Sequence, residues 1–166
     1  MSEESSLIYN KALDILSRRE HSAKELIFKL EKKFDSTEEI SLTVSKLKKN
    51  NLLNDFRYAE AYVVARKRKG FGPKKIKFEL LSKGIDESDI HKVLNEEGGW
   101  KKAAKKAFDK KFKNGPSEET NEKLKQKSFM KNRGFTFQEI ESVFSDDMLW
   151  FLSLIHISEP TRPNEI

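Results

Sequence analysis

Apolar side chains return at intervals of three and four along most of this chain. Leu26, Ile27, Leu30 and Phe34 share one helical face, Ile76, Leu80 and Leu81 share another, and Leu124, Phe129 and Met130 form a weaker third set. A further amphipathic set precedes each one: Tyr9, Leu13 and Leu16; Tyr58, Ala61, Tyr62 and Ala65; Ala104, Ala107, Phe108 and Phe112. Helix starts follow each one. Ser36 with Glu39, Asp86 with Asp89 and Thr136 with Glu139 stand 50 residues apart, and Ile40, Ile90 or Ile140 comes next each time. In the first and third, the hydroxyl suits a backbone N–H three positions on while the Glu reaches back, which predicts capping boxes; Asp86 with Asp89 is a looser version. Ile85 and Phe135 sit where an apolar residue staples onto Ile90 and Ile140, whereas Asp35 leaves the first copy without a staple. Gly84 and Gly134 fall where a helix ends in a left-handed residue.

No segment alternates apolar and polar positions long enough to argue for a strand, so the predicted fold is all-α. The period predicts three tandem three-helix repeats, spanning residues 1–53, 54–98 and 99–145. Each unit has too little interior to be very stable alone, so the units are expected to stack into an elongated, curved array. Residues 146–166 break the helical period, carry one basic residue and end in a Pro-containing stretch. This tail is expected to be irregular, and "SLIHISEPTRPN" reads as adaptor or read-through sequence foreign to the repeats.

Composition narrows the partner class. The chain has 166 residues, a net charge of +6 and a pI of about 9.3, which favours a polyanion or an acidic protein surface. Cysteine is absent, which excludes disulfides, thiolate nucleophiles and Cys-based zinc sites. "MSEESSLIYN" lacks the basic and apolar regions of a secretory signal, and the longest apolar stretch, "MLWFLSLIHI", is too short to span a bilayer. A cytoplasmic protein without a membrane partner is expected.

Motifs for catalysis are missing. "GFGPKK" at Gly70–Lys75 lacks a third glycine, a preceding strand and a closing Gly-Lys-Ser or Gly-Lys-Thr; Gly70 closing a helix, Gly72 turning and Pro73 starting the next helix explain it. His21, His91 and His156 are scattered singles with surface or capping roles. The Glu pairs 3/4, 38/39, 96/97 and 118/119 read as solvated groups or as partners of helix dipoles.

Positive charge concentrates in two runs. Between Ala61 and Phe78 lie seven Lys or Arg and no Asp or Glu: Arg66, Lys67, Arg68, Lys69, Lys74, Lys75 and Lys77. This turn reads as a basic knuckle in which Lys74 and Lys75 oppose the dipole of the helix they begin, beside exposed N–H groups ready for an anion. The second run, Lys101, Lys102, Lys105, Lys106, Lys110, Lys111 and Lys113, fits a solvated flank as well as it fits phosphate binding.

Four motifs, "ALDILSRREHSAKEL" (Ala12–Leu26), "LLNDFRYAEAYVVAR" (Leu52–Arg66), "GFGPKKIKFELLSKGI" (Gly70–Ile85) and "FMKNRGFTFQEI" (Phe129–Ile140), together resemble the RecX family of regulators of the RecA recombinase. The resemblance runs from about Leu7 to Phe144 and implies a modulator, usually inhibitory, that lies in the groove of the RecA nucleoprotein filament, bridges subunits and restrains ATP hydrolysis and strand exchange. It implies three helical repeats, no catalytic site and no cofactor. Motif residues suited to contacts with RecA or with single- or double-stranded DNA are Arg18, Arg19, Asn54, Arg57, Tyr58 and the knuckle from Arg66 to Lys77, although Asn54 or Asp55 also suits a helix cap and Tyr58 a core. A monomer is expected. The alternative reading is a stand-alone DNA-binding or architectural protein, but its basic residues suit phosphates, which position without specifying sequence.

Overall fold

Nine helices run through residues 2–145, the part of the chain that the computed structural model describes: α1 (Glu3–Arg18), α2 (Ala23–Glu31), α3 (Thr37–Lys49), α4 (Asp55–Arg68), α5 (Pro73–Ser82), α6 (Glu87–Glu97), α7 (Trp100–Lys111), α8 (Thr120–Asn132) and α9 (Phe137–Phe144). No strand occurs among the described residues, so the fold is all-α. The expected tail at 146–166 lies outside them.

The predicted caps stand at Ser36, Asp86 and Thr136, with Asp86 accepting from the Ser88 N–H. Thr136 and Glu139 form the predicted capping box, and Ser22 with Glu25 forms another that the repeat period did not reveal. Ser36 accepts the Glu39 N–H as expected, but the Glu39 carboxylate takes the Ser5 hydroxyl of α1 instead of reaching back. A tertiary donor has displaced the local one, leaving that box half made.

Three apolar clusters succeed one another along the chain, around Leu26, Leu30 and Leu47, around Val63, Ile76 and Ile90, and around Phe108, Met130 and Phe135. Helices pack chiefly within these groups: α1 with α2 and α3, α4 with α5 and α6, and α9 with α7 and α8. The buried stripes differ in register from the sequence pattern. In α1, Ile8, Ala12 and Ile15 are buried while Tyr9, Leu13 and Leu16 flank them. In α4, Ala59 and Val63 join Tyr58 in the core, leaving Ala61 and Ala65 exposed. Leu81 and Leu124 are also exposed, and Gln126 takes an interior place in α8, its amide bonding the Gly115 carbonyl and the Ser117 N–H. A buried polar side chain is tolerated when its hydrogen bonds are met, which an apolar-pattern search overlooks.

The second helices of the three groups run end to end. The Ser82 carbonyl at the end of α5 accepts from Lys24 at the start of α2, 3.1 Å away. The end of α8 meets the start of α5 more closely: the Gly72 N–H donates to the Arg133 carbonyl at 2.7 Å, and the Lys74 N–H to the Gly134 carbonyl at 2.8 Å. Gly72 is an N-cap with an ordinary negative φ, so its requirement is space. A Cβ there would stand 2.5 Å from Gly134 and Phe135 backbone atoms. Gly134 needs both freedoms, with φ at +98° and the Lys75 Cβ only 2.4 Å from where its own Cβ would be.

Candidate nucleic-acid interface

The first basic run is divided among three surroundings, beginning with charges that the fold consumes. Arg66 lies over Phe71, 3.9 Å from the ring centroid, and grips Glu79 with two bonds of 2.9 and 2.7 Å; the Tyr62 hydroxyl donates to the same carboxylate at 2.9 Å. Burial alone would raise the Glu79 carboxyl, but the bonds from Arg66 and Tyr62 outweigh it and hold it below the usual range. Burial and the Glu79 bond push the Tyr62 phenol up to about 12. Lys67 is also held: its ammonium meets Glu97 at 3.0 Å and the Gly98 carbonyl at 2.7 Å, with Trp100 beneath it. Glu97 thereby gains the partner it needs at the C-terminal end of α6, where the dipole disfavours a carboxylate.

The start of α5 corrects the sequence reading. Its Gly72 and Lys74 N–H groups are not open to an anion, because the last carbonyls of α8 occupy them. Lys74 and Lys75 therefore stand at the negative end of α8, which favours cations there. Lys75 also reaches over Phe71 and Lys77 pairs with Glu87.

The remaining predicted contacts lie toward the first helices. Tyr58 is a core residue, 4% exposed, with burial and the nearby Glu25 carboxylate raising its phenol. Asn54 caps α4 by accepting the Arg57 N–H, and Asp55 takes the Ala23 N–H at 2.8 Å, tying the first group of helices to the second. Arg57 pairs with Glu20 at 2.5 Å, Arg19 with Glu25, and the exposed Arg18 with Asp14 in its own helix. Expected at the surface, His21 is instead buried: its Nδ1 lies 3.0 Å from the Arg19 carbonyl and its Nε2 2.7 Å from the Lys29 ammonium. Those partners require a neutral ring that donates from Nδ1 and accepts at Nε2, and burial lowers its pKa accordingly.

Parts of both basic runs meet at one cleft. The end of α4 supplies Lys67, Arg68 and Lys69; across from them α7 supplies Lys102, Lys106 and Lys110. Val64, Gly70, Ala103 and Ala107 floor a volume of about 400 Å³ between these walls. The Lys67–Glu97 pair is the only salt bridge among the residues lining it. Sequence spacing could not join the runs, because α4 and α7 meet beside contacts distant in sequence, among them Lys67 with Trp100 and Arg133 with the Lys69 carbonyl. Among the described residues no group of three or more His, Asp or Glu is placed to hold a metal ion, and no helix is long and apolar enough to cross a membrane.

Comparison with known proteins agrees with the helical groups. Family models described as "RecX, first three-helix domain" and "RecX, second three-helix domain" match residues 9–47 and 54–94. Regulatory protein RecX of Legionella pneumophila (strain Corby) is 37% identical over 139 residues, covering 83% of this chain and 93% of the relative. Regulatory protein RecX of Pseudomonas fluorescens (strain SBW25) is 34% identical over 135 residues, covering 81% and 87%. The crystal structure of RecX from Lactobacillus salivarius superimposes with a TM-score of 0.75 at 27% identity, covering 90% of this chain and 99% of that one.

Proposed function

The chain belongs to the RecX family of regulatory proteins, and from that premise we propose that it is a non-enzymatic modulator of the RecA recombinase in DNA repair and recombination. It binds the RecA–DNA filament as a monomer in the cytoplasm and restrains ATP hydrolysis and strand exchange. The three units, taken as residues 1–53, 54–98 and 99–145, lie along the filament, and the third completes a surface that the second begins. One observation carries this reading: cations from two units face a shared cleft with one carboxylate among them. Such a surface attracts a polyanion and raises its association rate without any reactive group.

Co-sedimentation with preformed RecA filaments on single-stranded DNA, followed by strand exchange at the same protein ratios, tests the proposal. Pelleting with the filament and slower exchange are expected. Exchange at its normal rate with the protein bound would contradict inhibition, and failure to pellet would remove the filament as partner.

A further inference from the structure

We infer that the row of helices bends at one place: the second and third units, residues 55–145, move as one body, and the first unit is an arm hinged at Asn54 and latched to that body by charged contacts. This goes beyond the reading above and holds whether or not RecA is the partner. The two joints between units differ in kind.

The joint between the second and third units is closed by groups that salt screens little. Two backbone bonds tie Gly72 and Lys74 to Arg133 and Gly134. Trp100, the first residue of α7, packs on the cluster around Val63 in the preceding unit and donates its indole N–H to the Leu94 carbonyl at 3.0 Å. The Arg133 guanidinium lies over two rings, 4.8 Å from the Phe71 centroid and 4.9 Å from that of Phe129, so one aromatic residue of each unit shares a single cation. Sequence alone points the other way, because Gly98 and Gly99, both at positive φ, form the linker here. Lys67 holds the Gly98 carbonyl at 2.7 Å and the anchored Trp100 follows at once, so the glycines turn the chain without freeing it.

The joint between the first and second units is polar throughout. Glu20 pairs with Arg57, Glu25 with Lys83 at 3.4 Å, Asp55 takes the Ala23 N–H, Lys24 reaches the Ser82 carbonyl, and the Tyr58 hydroxyl meets Glu25. The Arg57, Glu20 and Lys83 side chains are 36%, 34% and 37% exposed. Ion pairs this open add little stability and weaken as salt rises. Among the described residues no shared core backs them: the cluster around Leu26 draws its members from residues 8–53, and the cluster around Val63 takes none from that range. An interface held by polar contacts alone permits relative motion of the parts it joins. Opening it changes the angle between the arm and the rest of the row, and with it the surface that a filament meets.

Spin labels test the inference, since a chain without cysteine takes them only where one is introduced. The pair S45C/N95C spans the first joint and N95C/N121C the second, all at exposed helical positions. Distance distributions from double electron–electron resonance are compared between about 50 mM and about 1 M sodium chloride, where the screening length has fallen to about 3 Å. The first distribution should widen about two-fold or more as its ion pairs are screened, while the second keeps its width. R57Q/K83Q should widen the first already at low salt, with the helix content by circular dichroism unchanged. A first distribution that stays as narrow as the second at high salt and in R57Q/K83Q would overturn the hinge. Widening across the second joint alone would move the bend to the two glycines, and equal widening of both would make the whole row flexible; either result overturns the inference. So would a fall in helix content alongside the widening, which would mean that the first unit melts instead of swinging. Pelleting with RecA filaments, measured separately, reports on the regulatory reading whichever way the hinge is decided.

Discussion

Arg66 shows how a residue's type and its role part company. Its charge belongs to a basic run, yet its guanidinium is spent on Glu79 and Phe71, with the arginine side chain 23% exposed and the carboxylate 19%. Arg66→Gln should therefore lower stability by about 1–3 kcal/mol, the range for losing hydrogen bonds to a charged, partly buried partner, measured by urea or thermal unfolding. Arg68→Gln should leave stability within about 0.5 kcal/mol, because the side chain is exposed and unpaired among the described residues. Acid should weaken the fold in two stages. Burial lowers the His21 pKa in the folded state, so its contribution is full above 6.5 and is lost as pH falls through the folded value. Glu79 and Glu25, also held low by their partners despite burial, contribute above 4.5 and lose that contribution as pH falls further. Glu139 opposes them, since burial raises its carboxyl and protonation favours the folded form. A His21→Gln variant should lack the earlier stage when melting temperature is followed from pH 7.5 to 5. Which lysines and arginines are committed was not legible in the sequence: Lys67 finds Glu97 thirty positions on, through an angle between helices that no periodicity encodes.

At the scale of elements, local signals carried far. The caps at Ser36, Asp86 and Thr136 and the ends at Gly84 and Gly134 rest on chemistry within one turn of the chain, and the structure places helix boundaries at each. Core stripes were less legible in α1 and α4, where alanines and β-branched residues leave two neighbouring faces similarly apolar and tertiary packing selects between them. The joints were hidden. Arg133 and Gly134 bond Gly72 and Lys74 across some sixty residues, and only the shared need of Gly72 and Gly134 for space hints at the contact. Gly72→Ala and Gly134→Ala should each separate α8 from α5 and cost upwards of about 2 kcal/mol, since backbone atoms on the other side cannot yield as a side chain can. Gly84→Ala, with the flexible Lys24 side chain 3.0 Å away and a φ of +82°, should cost less than Gly134→Ala. Comparative unfolding of the three variants checks that order. Replacing Lys74 and Lys75 by Gln should bring no gain in melting temperature, because the end of α8 already compensates the dipole they face.

Across the whole molecule, a row of three groups that pack mainly within themselves should scatter as a longer body than a sphere. The radius of gyration should exceed the roughly 15 Å of a compact domain of this length, and a value near 15 Å would mean that the units fold onto one another. The family was legible in four motifs, because each is local and they come in a fixed order, and the helical grouping was legible in the 50-residue spacing of the caps. The groove between α4 and α7 was not, since its walls come from two runs that only the joint between units brings face to face. If this helical row acts on a RecA filament without chemistry of its own, the steady-state ATPase rate of RecA on single-stranded DNA should respond as this protein is titrated in. The rate should fall at ratios well below one protein per RecA subunit, because a molecule bridging subunits acts on a filament of many. An unchanged rate at several-fold excess over RecA would contradict it.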